Sequence, residues 1–461
     1  MHDAIIIGAG MSGLAAGIRA AYFEKRVCIL ERHYTIGGLN SFYRLRGRDY
    51  DVGLHAVTNF TPPGSRHGPL ARSLRQLRFD RDEFQLAPQL TSRIAFPDHS
   101  LSFSNDPGML ESQLSEHFPG QSDGFARLVR ELPDYDDLDE THYARSARQV
   151  VESYITDPLL REMLFCPLMW YGNARQDDMD YAQFVIMFRS IFLEGFARPH
   201  EGVRLILRKL VRRFKELGGE LMLRSGVKKI ELDEGRAVGV ELEDGRQLAS
   251  PRILSSAGWV ETMRLCGQPS ADQERTGQLS FVETISTLDQ MPAELGHGET
   301  IVFFNDSTQF HWRRPQGELC DLRTGVICTP NNFEYDPSLG SLPDGVMRVT
   351  ALADHAGWTG LDEEAYASAK QDWGARSLAS AVRFVPDYRP HVIDTDMFTP
   401  RTIEHFTSHL NGAVYGATAK CIDGKTPVEN LFLCGTDQGF VGIIGSIVSG
   451  VSMANHHLLR D

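Results

Sequence analysis

Gly8, Gly10, Gly13 and Glu31 are spaced to hold the phosphates and a ribose of a dinucleotide. The run Gly8-Ala9-Gly10-Met11-Ser12-Gly13 directly follows the apolar stretch Ala4 to Ile7 and opens a helical pattern from Leu14 to about Tyr22. In such a turn the first glycine permits the tight reversal, the second lets backbone approach a pyrophosphate, and the third lets the helix pack on the sheet. Free N–H groups at the helix start, around Ser12, then face the phosphates. A β-branched strand, Val27 to Leu30, ends at Glu31, at the distance expected of a ribose-binding carboxylate. The alternative is a glycine turn that only eases packing, with Glu31 a solvated strand end.

The residues after Glu31 narrow the kind of dinucleotide. Arg32-His33-Tyr34-Thr35-Ile36-Gly37-Gly38-Leu39-Asn40-Ser41 brings a second glycine pair where a further loop can lie along the pyrophosphate. Nicotinamide dehydrogenases have no need of it. The run resembles the glycine-pair signature of the flavoproteins that include amine oxidases, protoporphyrinogen oxidase and phytoene desaturases. That resemblance implies FAD, with the ADP half on Gly8, Gly10, Gly13 and Glu31. It places the diphosphate near Gly37, Gly38 and Ser41, and adds Arg32, Leu39 and Asn40 to the cofactor-binding candidates.

The end of the chain repeats the strand, glycine turn and helix arrangement. Asn430 to Cys434 reads as a buried strand, followed by Gly435-Thr436-Asp437-Gln438-Gly439-Phe440-Val441-Gly442-Ile443-Ile444-Gly445 and a helix from Ser446 to Leu459. In flavoproteins of this type the element closes over the ribityl chain and the isoalloxazine, and an aspartate just past the strand accepts a ribityl hydroxyl. The resemblance gives that role to Asp437, with Gly435, Gly442 and Ile443 beside it. Val227 is similar to the residue whose backbone meets the adenine. Three separated segments, Tyr50 to His55, Ile403 to Thr407 with Asn411 to Gly416, and the turn after Gly435, resemble phytoene desaturases, carotenoid isomerases and retinol saturases. The implied substrate is an apolar isoprenoid or polyene, and the implied chemistry is hydride exchange at flavin N5 in desaturation, saturation or isomerisation. His55 is the candidate base, because its segment should approach the flavin. An amine oxidase and an isoprenoid carrier without turnover are the rival readings.

The elements that must position these groups follow from periodicity. Phe42 to Leu45 and Tyr50 to Val52 read as a β-hairpin around Arg46 to Asp49. Residues 66–196 read as mostly helical, with Asp134 to Glu140 a solvated acidic stretch. Phe184, Met187, Phe188, Ile191 and Phe192 crowd beyond a one-sided stripe and are candidates for the wall of an apolar tunnel, with burial in the core as the alternative. Glu220 to Leu254 reads as alternating strands of a small antiparallel sheet, and 261–400 as the sheet of a substrate domain. The expected class is α/β, a Rossmann-like FAD-binding domain assembled from 1–65, 197–260 and 401–461, with an α+β substrate domain from 66–196 and 261–400.

Composition sets the outer bounds. The chain has 461 residues, enough to bury a cofactor of FAD size, and a net charge of -14 that argues against nucleic acid as partner. Its seven cysteines are scattered and form no C-x-x-C pair, which suggests neither a disulfide framework nor a metal site and fits a reducing cytosol. Cys434 is expected to be a small core residue. The first residues lack the basic region of a signal peptide, and no apolar run is long enough to span a bilayer. Peripheral membrane contact stays open, because the implied substrate is apolar.

Overall fold

The computed structural model describes residues 2–53, 55–132, 144–268 and 273–460. A five-stranded parallel sheet runs Leu431–Leu433, Ile253–Ser255, Ala4–Ile7, Val27–Leu30, Glu220–Met222 in spatial order. Ala4–Ile7 and Val27–Leu30 are buried along their whole length, as parallel strands covered on both faces must be. The helix Met11–Ala21 leaves only Arg19 partly exposed. It packs between the helices Val203–Glu216 and Gly442–Met453, so segments from both ends of the chain and its middle share one core.

Two expectations for this part are corrected. Glu220–Met222 and Ile253–Ser255 are strands of the parallel sheet. The antiparallel sheet contains only Val227–Asp233, Arg236–Leu242 and Gln247–Ala249. The turns Glu234-Gly235 and Asp244-Gly245 form its hairpins, but they carry no information about the flanking strands, whose partners lie about 200 residues away.

A seven-stranded sheet forms the second layer, in the order Val392–Phe398, Ser280–Leu288, Gly345–Ala353, Cys320–Cys328, Ile301–Asn305, Ser92–Phe96, His99–Phe103. Its last two strands lie in the segment read as mostly helical. They form a hairpin over Pro97-Asp98, with Asp98 at φ 60°, and join the sheet through a parallel pairing of Ser92–Phe96 with Ile301–Asn305. Helices Pro107–His117, Ser122–Glu131, Pro158–Gly172 and Tyr181–Phe188 cover this end. The acidic stretch Asp134 to Glu140 lies outside the described residues.

Phe184, Phe188, Ile191 and Phe192 are buried in the core under this lobe. Phe184 and Phe188 pack ring to ring, as do Phe188 and Phe192. Burying each such side chain contributes about 1.5–3 kcal/mol, so packing alone explains their composition. Met187 is the exception and lines a cavity described below. Among the described residues no helix is long and apolar enough to cross a membrane.

Candidate active site

The glycine turn has the stereochemistry that its spacing requires. Gly8 sits at φ +97°, and a Cβ there would lie 2.4 Å from Ser256 Oγ. A Cβ on Gly13 would lie 2.1 Å from the Gly8 carbonyl oxygen, so this position admits only glycine while helix and strand stay packed. Gly10 differs, because the nearest atom to its Cβ would be the Gly37 oxygen at 3.9 Å. The space beside Gly10 is therefore kept clear for something other than the chain. Glu31 ties the turn to the next strand, its carboxylate accepting from Ala9 N at 2.9 Å and His33 N at 3.0 Å.

These residues line a cavity of about 330 Å³. Gly8, Gly10, Ser12, Glu31, Arg32, Gly37, Gly38, Leu39, Asn40, Val227 and Gly435 all face it. Gly37 (φ +107°) and Gly38 (φ +56°) occupy backbone conformations that side chains rarely adopt. Arg32 closes one side by donating to Ser408 Oγ at 2.7 Å. His33 Nε2 is buried there without a partner.

Three cofactor candidates, Gly13, Ser41 and Asp437, line neither this cavity nor the chamber beside it. Gly13 is packed under Gly8. Ser41 donates to Ile36 O at 2.7 Å and lines a neighbouring cavity instead. Asp437 is buried, and both its oxygens are taken by the chain itself, Oδ1 accepting from Ala417 N at 2.7 Å and Oδ2 from Trp259 N at 2.6 Å. Through these bonds Asp437 clamps the segments 416–417 and 258–259 against the last glycine turn. Thr436, its neighbour, is the residue that faces the cavity.

Leu39, Asn40, Thr436 and Ser446 line this cavity and also a second, smaller chamber of about 130 Å³ that contains His55. Gly442 and Ile443 border the chamber, and Trp170, Tyr171, Phe281, Phe398 and Tyr415 give it aromatic walls. His55 Nδ1, Trp170 Nε1 and Tyr171 Oη belong to its lining and are buried without a hydrogen-bond partner. Unpaired buried polar atoms are costly, so three around one chamber point to a polar occupant. A flavin ring, with carbonyl oxygens and ring nitrogens at one edge, fits this set of groups.

Beneath the chamber lies a charged cluster. Arg348 donates from Nε to Glu283 Oε1 and from Nη2 to the Asp51 carbonyl at 3.0 Å. Arg198 pairs with Asp51 at 2.7 Å and donates to the His55 carbonyl at 3.2 Å. His55 Nε2 lies 3.0 Å from Thr350 Oγ1 and 4.0 Å from Glu283. Burial lowers the His55 pKa to about 4, with Arg348 and Arg198 adding to the shift and Glu283 opposing it. The ring is thus neutral near pH 7.

That shift has a stability consequence. An unfolded histidine titrates near 6.5. Between pH 6.5 and about 4 the unfolded chain therefore binds a proton that the folded chain excludes, and stability falls as pH falls across this window. The full loss is roughly 3 kcal/mol. The Tm of the native protein should drop more steeply from pH 7 to pH 5 than that of a His55→Asn variant. Parallel Tm profiles would count against a buried neutral His55.

Sequence reasoning missed Glu283, Arg348, Thr436 and the aromatic walls. Thr436 sits inside the last glycine turn and was within reach of the motif. Glu283 and Arg348 carry no local signal, because a strand pairing of distant segments brings them together.

Comparisons with known proteins place the chain beside dinucleotide-binding oxidoreductases. Residues 6–77 match the model of the NAD(P)-binding Rossmann-like domain. Prolycopene isomerase of Arabidopsis thaliana is 26% identical, in an alignment covering 100% of this chain and 83% of that protein. All-trans-retinol 13,14-reductase of Danio rerio is 21% identical over 100% and 86%. The lycopene-forming phytoene desaturase of a Paracoccus species is 24% identical over 96% and 95%. Among solved structures, an oxidoreductase from Methanosarcina mazei has a TM-score of 0.66 at 17% identity, covering 98% of this chain and 99% of that one. Putrescine oxidase bound to putrescine has a TM-score of 0.66 at 15% identity, covering 100% and 99%. The structural likenesses establish a shared fold. The relatives and the two glycine turns together support a flavin-type cofactor.

Proposed function

We propose, from the premise that the chain belongs to the flavoprotein family of prolycopene isomerases, retinol 13,14-reductases and phytoene desaturases, that it is an FAD-dependent oxidoreductase acting on carbon–carbon bonds of a carotenoid or related isoprenoid polyene. The observation that carries the reading is the continuity of the glycine cradle with the His55 chamber through Leu39, Asn40, Thr436 and Ser446. A dinucleotide held at its phosphates on one side can then present its reactive ring to a substrate on the other. Bound there, FAD supplies the hydride exchange with a substrate carbon.

The residues have separable tasks in this reading. Gly8, Gly10, Gly37 and Gly38 keep backbone close to the diphosphate, and Glu31 takes the ribose. Trp170 and Tyr171 hold the polar edge of the ring, while Phe281, Phe398 and Tyr415 exclude water and grip an apolar chain by shape. His55 holds or moves a proton at Nδ1, the nitrogen without a partner, because Nε2 is engaged by Thr350. The aromatic walls also favour a second reading, an amine oxidase-like enzyme, since such walls attract cations.

The test is to load the protein with FAD and supply phytoene, a poly-cis carotenoid and retinol in liposomes, with and without prior reduction of the flavin. Loss of two hydrogens identifies desaturation, gain of two identifies saturation, and unchanged mass with altered retention identifies isomerisation. Turnover of a polar amine with no change in any polyene would overturn the proposal. We place the protein in a reducing compartment such as the cytosol, with peripheral membrane contact. The free thiols support this placement, six of the seven being buried.

A further inference from the structure

Three side chains of metal-ligand type converge at the N-terminal end of the parallel sheet, opposite the end that carries the glycine turns. His2 precedes the strand Ala4–Ile7, Cys28 lies in Val27–Leu30, and Glu220 opens Glu220–Met222. Cys28 and Glu220 are register partners on neighbouring parallel strands, so their side chains leave the same face about 4.8 Å apart. His2 reaches over them, its Nε2 lying 2.9 Å from Glu220 Oε2. The imidazole nitrogen, the thiol sulfur and a carboxylate oxygen all lie within 4.8 Å of one another. No spacing motif joins these three positions, and strand order alone assembles them.

Taken one at a time, these residues have ordinary explanations. His2 with Glu220 is a surface ion pair of little weight, and Cys28 is a small core residue. Taken together they match one ligand. An imidazole, a thiolate and a carboxylate are the ligand types of zinc, whereas calcium and magnesium take oxygen alone. The thiolate and the carboxylate carry two negative charges, which a divalent ion neutralises. Arg246, the cation that acts on both Cys28 and Glu220, is itself paired with Asp244 at 2.7 Å. Tetrahedral zinc, with bonds of about 2.0–2.3 Å, needs ligand atoms roughly 3.3–3.6 Å apart, a spacing that small side-chain rotations here can reach. The His2 and Glu220 side chains, 21% and 54% exposed, have the freedom to rotate and leave a path for ion and water.

We infer that His2, Cys28 and Glu220 bind one zinc ion, with water as the fourth ligand, and that the ion staples the edge strand Glu220–Met222 to the two strands that begin the chain. Binding exchanges the Cys28 thiol proton for the metal and releases that proton to solvent, with no change of oxidation state. The edge strand has a single neighbour in its sheet, Val27–Leu30. Its Met222 carbonyl accepts from Glu31 N at 2.8 Å, so the staple braces the backbone that carries the Glu31 carboxylate of the cradle. The site stands apart from the His55 chamber and holds whatever the substrate there.

The test uses tag-free, full-length protein as purified, freed of metal with a chelator, kept reduced by a phosphine, and titrated with Zn²⁺ or with Co²⁺ as a coloured stand-in. One equivalent of zinc should bind, and cobalt should give the charge-transfer absorption of a thiolate–cobalt bond. Cys28→Ser should abolish that absorption. His2→Gln, at a partly exposed position outside the core, should weaken zinc binding roughly tenfold or more. Cys421→Ser, which removes a partly exposed thiol elsewhere, should bind as the native protein does. Zinc should also slow hydrogen exchange at the Leu221 and Met222 amides of the native protein and leave them unchanged in His2→Gln. Absence of the charge-transfer absorption, its survival in Cys28→Ser, undiminished zinc binding by His2→Gln, or unaltered exchange in the edge strand would each overturn the inference. None of these measurements needs turnover, so failure of the proposed polyene chemistry is read separately.

Discussion

A Gly10→Val protein is expected to fold normally and bind no flavin. The nearest atom to a Cβ at Gly10 is 3.9 Å away, so the first carbon of the added side chain makes no clash and the side chain occupies space in the cradle. Absorbance of copurified flavin should fall to background, while Tm without cofactor stays within a degree or two of the native value. Added FAD separates the two proteins further. A ligand at 100 times its Kd stabilises a native fold by about 2.7 kcal/mol, and the variant should gain none of this. Gly13→Ala is the instructive contrast, because its Cβ would meet the Gly8 oxygen at 2.1 Å and must displace helix from strand. That variant should lose stability with or without cofactor. Retention of flavin by Gly10→Val would place the diphosphate somewhere other than this turn.

Glu283→Ala should be among the most destabilising single substitutions in the molecule, costing about 3–5 kcal/mol. Glu283 and Arg348 are 1% and 2% exposed on adjoining strands of the seven-stranded sheet. Removing the carboxylate leaves a guanidinium buried without its counter-charge, and that uncompensated charge is the main cost. Arg348 also donates to the Asp51 carbonyl, so its displacement loosens the segment that carries His55. Urea unfolding of Glu283→Ala, Arg348→Met and the double variant Glu283→Met/Arg348→Met separates these effects. The double variant should recover much of the loss, because it removes both charges and fills the space. A cost below about 1 kcal/mol for Glu283→Ala would show that water or a neighbouring group compensates Arg348.

The glycine turn is legible in the sequence, whereas the Glu283–Arg348 pair is not. Gly8, Gly10 and Gly13 declare themselves in a line of text because their function is local: a positive φ, a close approach and a helix start all lie within six residues. The same holds for the hairpin Phe42–Leu45 with Arg48–Asp51, whose turn residues Arg46 and Gly47 both take positive φ. Asp437 was placed in the right loop, yet its neighbour Thr436 faces the cavity. The orientation of Asp437 depends on Ala417 and Trp259, which arrive from elsewhere in the chain and donate to its carboxylate.

Strand partners were harder still. Glu220–Met222 pairs in parallel beside Val27–Leu30, and Ser92–Phe96 joins Ile301–Asn305, because each buries an apolar face against a distant segment. Alternation identifies a strand and is silent about its neighbour. The sequence alone therefore determined the two glycine turns and the cofactor class they imply, since backbone stereochemistry is written in neighbouring residues. Tertiary packing decided that Phe184 and its neighbours fill a core and that Glu283 and Arg348 support His55. Burial and charge pairing depend on what the folded chain brings near, and spacing along the chain does not record it.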